Sequence, residues 1–123
     1  MPPTILIVDD DSGIRSFLCE LLRDEGYDAL GLEDGIVAWE WLHTTGNPPQ
    51  LILLDLMMPI MTGWEFRQRQ ITDSYLAVIP VIVISAVADR GTTVRLDVAA
   101  TLPKPVPIDQ LLDLVAQHIT SAA

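Results

Sequence analysis

Three short runs of the chain are apolar without alternation: Ile5-Leu6-Ile7-Val8 after Thr4, Leu51-Ile52-Leu53-Leu54, and Val81-Ile82-Val83-Ile84. Runs of this length and kind suit strands covered on both faces, as in a parallel sheet. Helical patterns lie between them. Ile14, Phe17, Leu18, Leu21 and Leu22 recur at i, i+3, i+4, i+7 and i+8, with Ser12 as an N-cap and Gly26 as the stop. Ile36, Val37, Trp39, Glu40 and Leu42 predict a second helix opened by Asp34 and ending near Gly46-Asn47-Pro48-Pro49. A third is expected over about 62–71. A last helix after Pro107 carries one apolar stripe of Ile108, Leu111, Leu112, Val115 and Ile119.

Tyr27–Leu32 and Ala100–Leu102 are weaker strand candidates. With them the order reads β-α five times over, which implies an α/β domain with a parallel sheet and helices on both faces. The segment 89–98 is the weakest helix of the series. It holds Gly91 and the β-branched pair Thr92-Thr93, both poor for helix. The 123 residues, half of them hydrophobic, make one domain over 1–123 with room for a core.

Charge and composition narrow the function classes. A net charge of −10 argues against nucleic-acid and anionic-membrane surfaces, and the six arginines are scattered, with Arg67 and Arg69 the densest pair. No apolar stretch approaches the ~18 residues of a membrane span, and Met1-Pro2-Pro3-Thr4 does not resemble a secretory leader. The lone Cys19 rules out an internal disulfide and suits a reducing compartment, so the cytoplasm is the expected location.

The candidate chemistry sits at the ends of the predicted strands. Asp9 and Asp10 follow the first, Asp55 the third, Ser85 the fourth, and Lys104, the chain's single lysine, the fifth. Ligands of open α/β sheets bind beyond the carboxyl ends of the strands, so all of these fall on one edge. Each has a plain structural explanation taken singly. Asp11 or Ser12 can cap a helix, Asp55 can shape a turn, Ser85 can close a strand, and Lys104 can lie in solvent. Together they are better explained as a site. Two carboxylates about 4 Å apart repel by ~4 kcal/mol at an effective dielectric of ~20, so a cluster of three needs positive charge within it. Mg²⁺ suits such oxygens, and Zn²⁺ does not, since no Cys or His is placed to bind it. Lys104 and the Ser85 hydroxyl could hold phosphoryl oxygens while an aspartate attacks phosphorus. Met57, Met58 and Met61 read as packing residues.

Ile7-Val8-Asp9-Asp10-Asp11, Asp34-Gly35, Leu54-Asp55-Leu56-Met57-Met58-Pro59, Gly63, Ile84-Ser85-Ala86 and Lys104-Pro105 resemble the receiver domain of bacterial two-component response regulators over essentially the whole chain. The resemblance implies a doubly wound, flavodoxin-like sheet of strand order 2-1-3-4-5. It implies that Asp55 accepts the phosphoryl group and that Asp9 and Asp10 hold Mg²⁺, with the Met57 main-chain carbonyl completing the metal shell. Ser85 is then the switch hydroxyl, Lys104 the phosphoryl-pairing cation, and Lys104–Pro105 a cis peptide. The implied partners are a histidine kinase or phosphotransfer protein and a downstream protein effector. The chain would be a switching module and not a turnover enzyme.

Four departures from the family pattern fall together. Thr101 stands where an aromatic residue is usual, Val106 replaces another, Asp97-Val98 replaces a Gly-Ala pair, and the interval from Ser85 to Lys104 is shorter by roughly three residues, about one helical turn. They predict an ordinary catalytic edge with an altered readout. A receiver-like scaffold that binds partners without phosphorylation is the alternative. An aspartate-nucleophile phosphatase would need an acid where Met57 stands, and a dinucleotide site would need a Gly-rich turn where Asp9-Asp10-Asp11 stands. The chain reads equally as a stand-alone receiver or as part of a longer regulator.

Overall fold

The computed structural model describes residues 4–86 and 98–119. Its strands are β1 (Thr4–Val8), β2 (Asp28–Leu32), β3 (Leu51–Asp55), β4 (Val81–Ser85) and β5 (Ala100–Pro103). They form one parallel sheet in the order β2-β1-β3-β4-β5. The helices among the described residues are α1 (Ser12–Asp24), α2 (Gly35–Thr44), α3 (Gly63–Thr72) and α4 (Ile108–His118). The helix expected within 89–98, with its Gly91 and Thr92-Thr93, lies almost wholly outside the described residues, as do Val87 and Asp97.

The sheet divides the core in two because successive strand residues face opposite ways. Leu6, Val8, Ile52, Leu54, Val81 and Val83 pack toward Ala38, Leu42 and Phe66 of α2 and α3. Ile5, Ile7, Leu51, Leu53, Ile82 and Ile84 pack toward Leu18, Leu22, Leu111 and Val115 of α1 and α4. Helices thus cover both faces, as the unalternating runs led one to expect, and the sheet is doubly wound, as the resemblance implied.

The helices begin where side chains satisfy their first amides. Asp11, not Ser12, caps α1 by accepting from the Ile14 amide at 3.1 Å. Asp34 caps α2 by accepting from Val37 at 2.9 Å. Thr62 and Glu65 form a reciprocal capping box at α3. Two apolar stripes differ from expectation. In α2 the buried face is Gly35, Ala38 and Leu42, and Ile36 is exposed. In α1, Phe17 is 52% exposed.

Polar burial appears where sequence reasoning saw only scattered charge. Arg67 is buried and donates from Nη1 to the Gln70 Oε1 at 2.9 Å. Gln70, wholly buried, donates from Nε2 to the carbonyls of Leu76 and Ile79 at 3.0 and 3.1 Å. One amide thus ties α3 to the turn that leads into β4. Gln70→Leu removes the Gln70 bond from the buried Ile79 carbonyl and from the Arg67 guanidinium and leaves the Leu76 carbonyl with the Ile79 amide, so it is expected to destabilise the fold by about 2–4 kcal/mol in urea unfolding. A loss below ~1 kcal/mol would mean that these bonds do not hold the turn.

Candidate functional site

Strand register assembles the site. Val8 pairs with Leu54, so the next residues, Asp9 and Asp55, emerge side by side. Asp55 pairs with Ile84, which puts Ser85 one step further along the same edge. Ser85 pairs with Pro103, and the Lys104 amide donates to the Ser85 carbonyl at 3.2 Å. The Lys104–Pro105 peptide is cis, as the resemblance implied.

The Lys104 ammonium lies between two carboxylates. Its Nζ is 3.0 Å from Asp9 Oδ2 and 3.4 Å from Asp55 Oδ2. Asp9, Asp55 and Ser85 are buried, and Asp10 is exposed at the rim. Asp9, Asp10 and Asp55 each present a carboxylate oxygen within 4.8 Å of the others. This oxygen-only set, buried on one side and open on the other, fits a hard divalent cation that keeps part of its water shell. Asp9, Asp10 and Asp55 would hold it.

Further bonds fix the individual groups. Asp9 Oδ1 accepts from the Asp11 amide at 2.9 Å, and the Asp9 amide donates to the Leu32 carbonyl at 3.2 Å. Asp55 Oδ1 accepts from the Met57 amide at 3.2 Å. Burial pushes the Asp55 carboxyl above the ordinary 3.8; the Met57 amide and Lys104 oppose the rise, and the neighbouring Asp9 charge adds to it. For Lys104, burial is the largest influence and favours the neutral amine. The Asp9 and Asp55 carboxylates together outweigh it, so the ammonium holds its proton above the ordinary 10.5.

The loop after β3 is tightly folded. The Met61 amide donates to the Pro59 carbonyl at 2.7 Å across Ile60, whose φ is 70°. A β-branched residue in that region is strained. Met58 and Met61 are buried to either side and hold the turn against the core. A Cβ at Gly63 would lie 2.4 Å from the Asp55 carbonyl oxygen and 2.7 Å from Leu56 Cα. Only glycine lets α3 start against the backbone that carries Asp55.

The structure therefore brings together Asp9, Asp10, Asp55, Ser85 and Lys104, with the Met57 main chain beside Asp55. Met57 itself corrects one expectation. Its side chain does not pack but stands 56% exposed, because the turn at 59–61 sends Met58 and Met61 inward instead. Thr101 is exposed on β5, and Val106 packs against the α1–α4 half of the core. Beside Lys104 and Pro105, an apolar groove of about 300 Å³ opens against Ile14, Phe17 and Ile108. The exposed ring of Phe17 lines it, which explains why that residue leaves the α1 core stripe. Sequence reasoning did not single out Arg15, whose Nη1 donates to the Asp9 carbonyl at 2.7 Å.

A sequence profile described as the response regulator receiver domain matches residues 5–116. The chain is 33% identical over 113 residues to the response regulator MprA of Mycobacterium sp. strain KMS, covering 91% of this chain and 48% of that protein. It thus spans about half the length of that regulator. It is 32% identical over 120 residues to sporulation initiation phosphotransferase F of Bacillus subtilis, covering 97% of this chain and 95% of that one. The crystal structure of a response regulator receiver protein from Pseudomonas putida superposes with a TM-score of 0.88 at 29% identity, over 95% of this chain and 98% of that one.

The raised Asp55 carboxyl has a thermodynamic sign. Its proton is held more tightly in the folded state than in the unfolded one, so ionisation above the unfolded value of 3.8 costs stability. The cost is absent below that pH, grows as pH rises toward the folded value, and is complete above it. Asp55→Asn in EDTA should raise the melting temperature by on the order of a few degrees at pH 7 and by little at pH 3. Asp10→Asn, which removes one of the three clustered charges, should also raise the melting temperature at pH 7, and each should blunt the stabilisation that millimolar Mg²⁺ gives the unsubstituted protein. Unchanged Mg²⁺ responses in both variants would place the cation elsewhere.

Proposed function

Because the chain belongs to the response-regulator receiver family, we propose that it is a phosphoacceptor switch, phosphorylated on Asp55 by a histidine kinase or a phosphotransfer protein in the presence of Mg²⁺. The observation that carries this reading is the ammonium of Lys104 bonded to both Asp9 and Asp55 at the edge where β1 and β3 end.

The chemistry follows from the residues. Asp55 Oδ attacks phosphorus in line, the bond from phosphorus to the donor's imidazole nitrogen breaks, and the imidazole takes up a proton from solvent. Burial makes the Asp55 carboxylate more basic than a solvated one, which favours attack. Lys104 offers its ammonium to the oxygens of the arriving group, so a group bearing negative charge can enter an acidic pocket. Asp9, Asp10, Asp55 and the Met57 carbonyl would hold Mg²⁺, which would draw charge from those oxygens when bound. The Ser85 hydroxyl, at the end of β4, donates to a phosphoryl oxygen and carries the change into the segment that follows. A downstream protein reads that change. The apolar groove beside Lys104 offers a protein donor a surface next to the acceptor.

The module is a switch and not a turnover enzyme, since Met57 offers no general acid two residues after the nucleophile. A cytoplasmic setting accords with the single buried thiol of Cys19.

Two outcomes test this reading. Incubated with Mg²⁺ and acetyl phosphate, the protein should gain one acid-labile phosphoryl group by intact-mass measurement, and Asp55→Asn should gain none. Equal incorporation by both would refute the assignment of Asp55, and no incorporation by either would leave the scaffold reading. The second concerns lifetime. The exposed thioether of Met57 cannot orient an attacking water, so the phosphorylated protein should lose its group slowly. Met57→Asn should speed the loss severalfold after donor removal, and a slower loss would contradict the role given to that side chain.

A further inference from the structure

Asp9 is gripped at nearly every polar atom, whereas Asp10 is not. The Asp9 amide donates to the Leu32 carbonyl of β2, Asp9 Oδ1 accepts from the Asp11 amide, and Asp9 Oδ2 pairs with Lys104. The remaining atom, the Asp9 main-chain carbonyl, accepts from Arg15 Nη1 at 2.7 Å. That carbonyl belongs to the same planar peptide as the Asp10 amide. Its orientation therefore sets where the Asp10 side chain leaves the backbone. Asp10 is exposed, and its carboxylate makes no hydrogen bond among the described residues. Nothing but its backbone keeps it within reach of Asp9 and Asp55.

A second feature singles out Arg15. Its stem lies across β2 at Gly31, where a Cβ would come within 2.5 Å of Arg15 Cγ and 3.2 Å of Cys19 Sγ. A glycine inside a strand is unfavourable in itself and marks a close approach. Here the approach is that of the side chain that reaches the Asp9 carbonyl.

We propose that Arg15, given room by Gly31, is a positioning residue that locks the Asp9–Asp10 peptide and so presets the Asp10 carboxylate for a divalent cation. The proposal rests on the reading of Asp9, Asp10 and Asp55 as a Mg²⁺ site. In this role Arg15 acts through the Asp9 carbonyl and is not itself a ligand of the cation.

Charge makes the test decisive. Arg15 is a cation near a cation site, so an influence through charge alone predicts tighter Mg²⁺ binding when it is removed. Positioning predicts weaker binding. Arg23 supplies the control, since it stands on the same helix and its Nη2 donates at 2.7 Å to a β2 carbonyl, that of Ala29, away from the cluster.

Mg²⁺ dissociation constants are measured by titration calorimetry on the full chain, with melting temperatures in EDTA alongside. Arg15→Met keeps the stem and loses the donor, and it should weaken Mg²⁺ about tenfold, in the range found when partners of metal ligands are removed. Gly31→Ala should displace the Arg15 stem and weaken Mg²⁺ in the same direction. Arg23→Met should leave the constant within about twofold, whatever it does to the melting temperature. Binding by Arg15→Met as tight as, or tighter than, that of the unsubstituted protein overturns the proposal. So does an equal loss in Arg23→Met, which would make the effect one of general stability. If Arg15→Met does not fold, Gly31→Ala against Arg23→Met decides in the same terms. Failure of the underlying reading has a different signature: Mg²⁺ binding that is absent from the unsubstituted protein, or unaltered by Asp10→Asn, removes the site and the proposal with it.

Discussion

The site depends on negative charges that cannot move apart. Parallel pairing of β1 with β3 delivers Asp9 and Asp55 to adjacent positions, and the turn after β1 adds Asp10. Like charges at such distances repel by several kcal/mol when partly shielded from water. One ammonium, from Lys104, bridges the two buried carboxylates. It balances part of the charge and leaves the rim, at Asp10, still acidic. A divalent cation would relieve that excess of negative charge, and in the proposed function it is the cation and the Lys104 ammonium together that would let an anionic group enter.

The surrounding fold keeps the cluster from relaxing. The strands that carry Asp9, Asp55 and Ser85 are covered on both faces, so their ends cannot slide without exposing a core layer. Behind Asp55, the start of α3 rests on the strand's own backbone through Gly63. The strained turn at Ile60 is held between buried Met58 and Met61. Strain of this kind is kept where neighbouring structure over-determines the backbone, and it lies here within six residues of the proposed nucleophile.

Most of this was legible in the sequence because strands buried on both faces leave an unmistakable record. The runs at Ile5, Leu51 and Val81 located three strands, and the polar residue ending each located the site. The helices were less legible. In α2 the residues Ile36, Val37, Ala38, Trp39, Trp41 and Leu42 are apolar almost all round, so periodicity could not reveal that Ala38 faces the core and Ile36 the solvent. Phe17 obeyed the α1 spacing yet lines a groove beside Lys104. Met57 looked like its neighbours, and only the turn at 59–61 separates them. Arg67 and Gln70 carried no sign of burial, because only the folded turn supplies the hydrogen bonds that compensate them, to each other and to the carbonyls of Leu76 and Ile79. For Arg15 a signal did exist: a glycine at position 31 within a strand pattern points to a close approach, though not to its author.

The central claim is that burial and a neighbouring carboxylate hold Asp55 in a state that a divalent cation relieves. Carbon-13 NMR titration of the Asp55 carboxylate, with and without saturating Mg²⁺, measures this directly. The account predicts titration above 3.8 in the metal-free protein and at clearly lower pH once Mg²⁺ is bound. Titration at or below 3.8 without metal, unchanged by Mg²⁺, would contradict it.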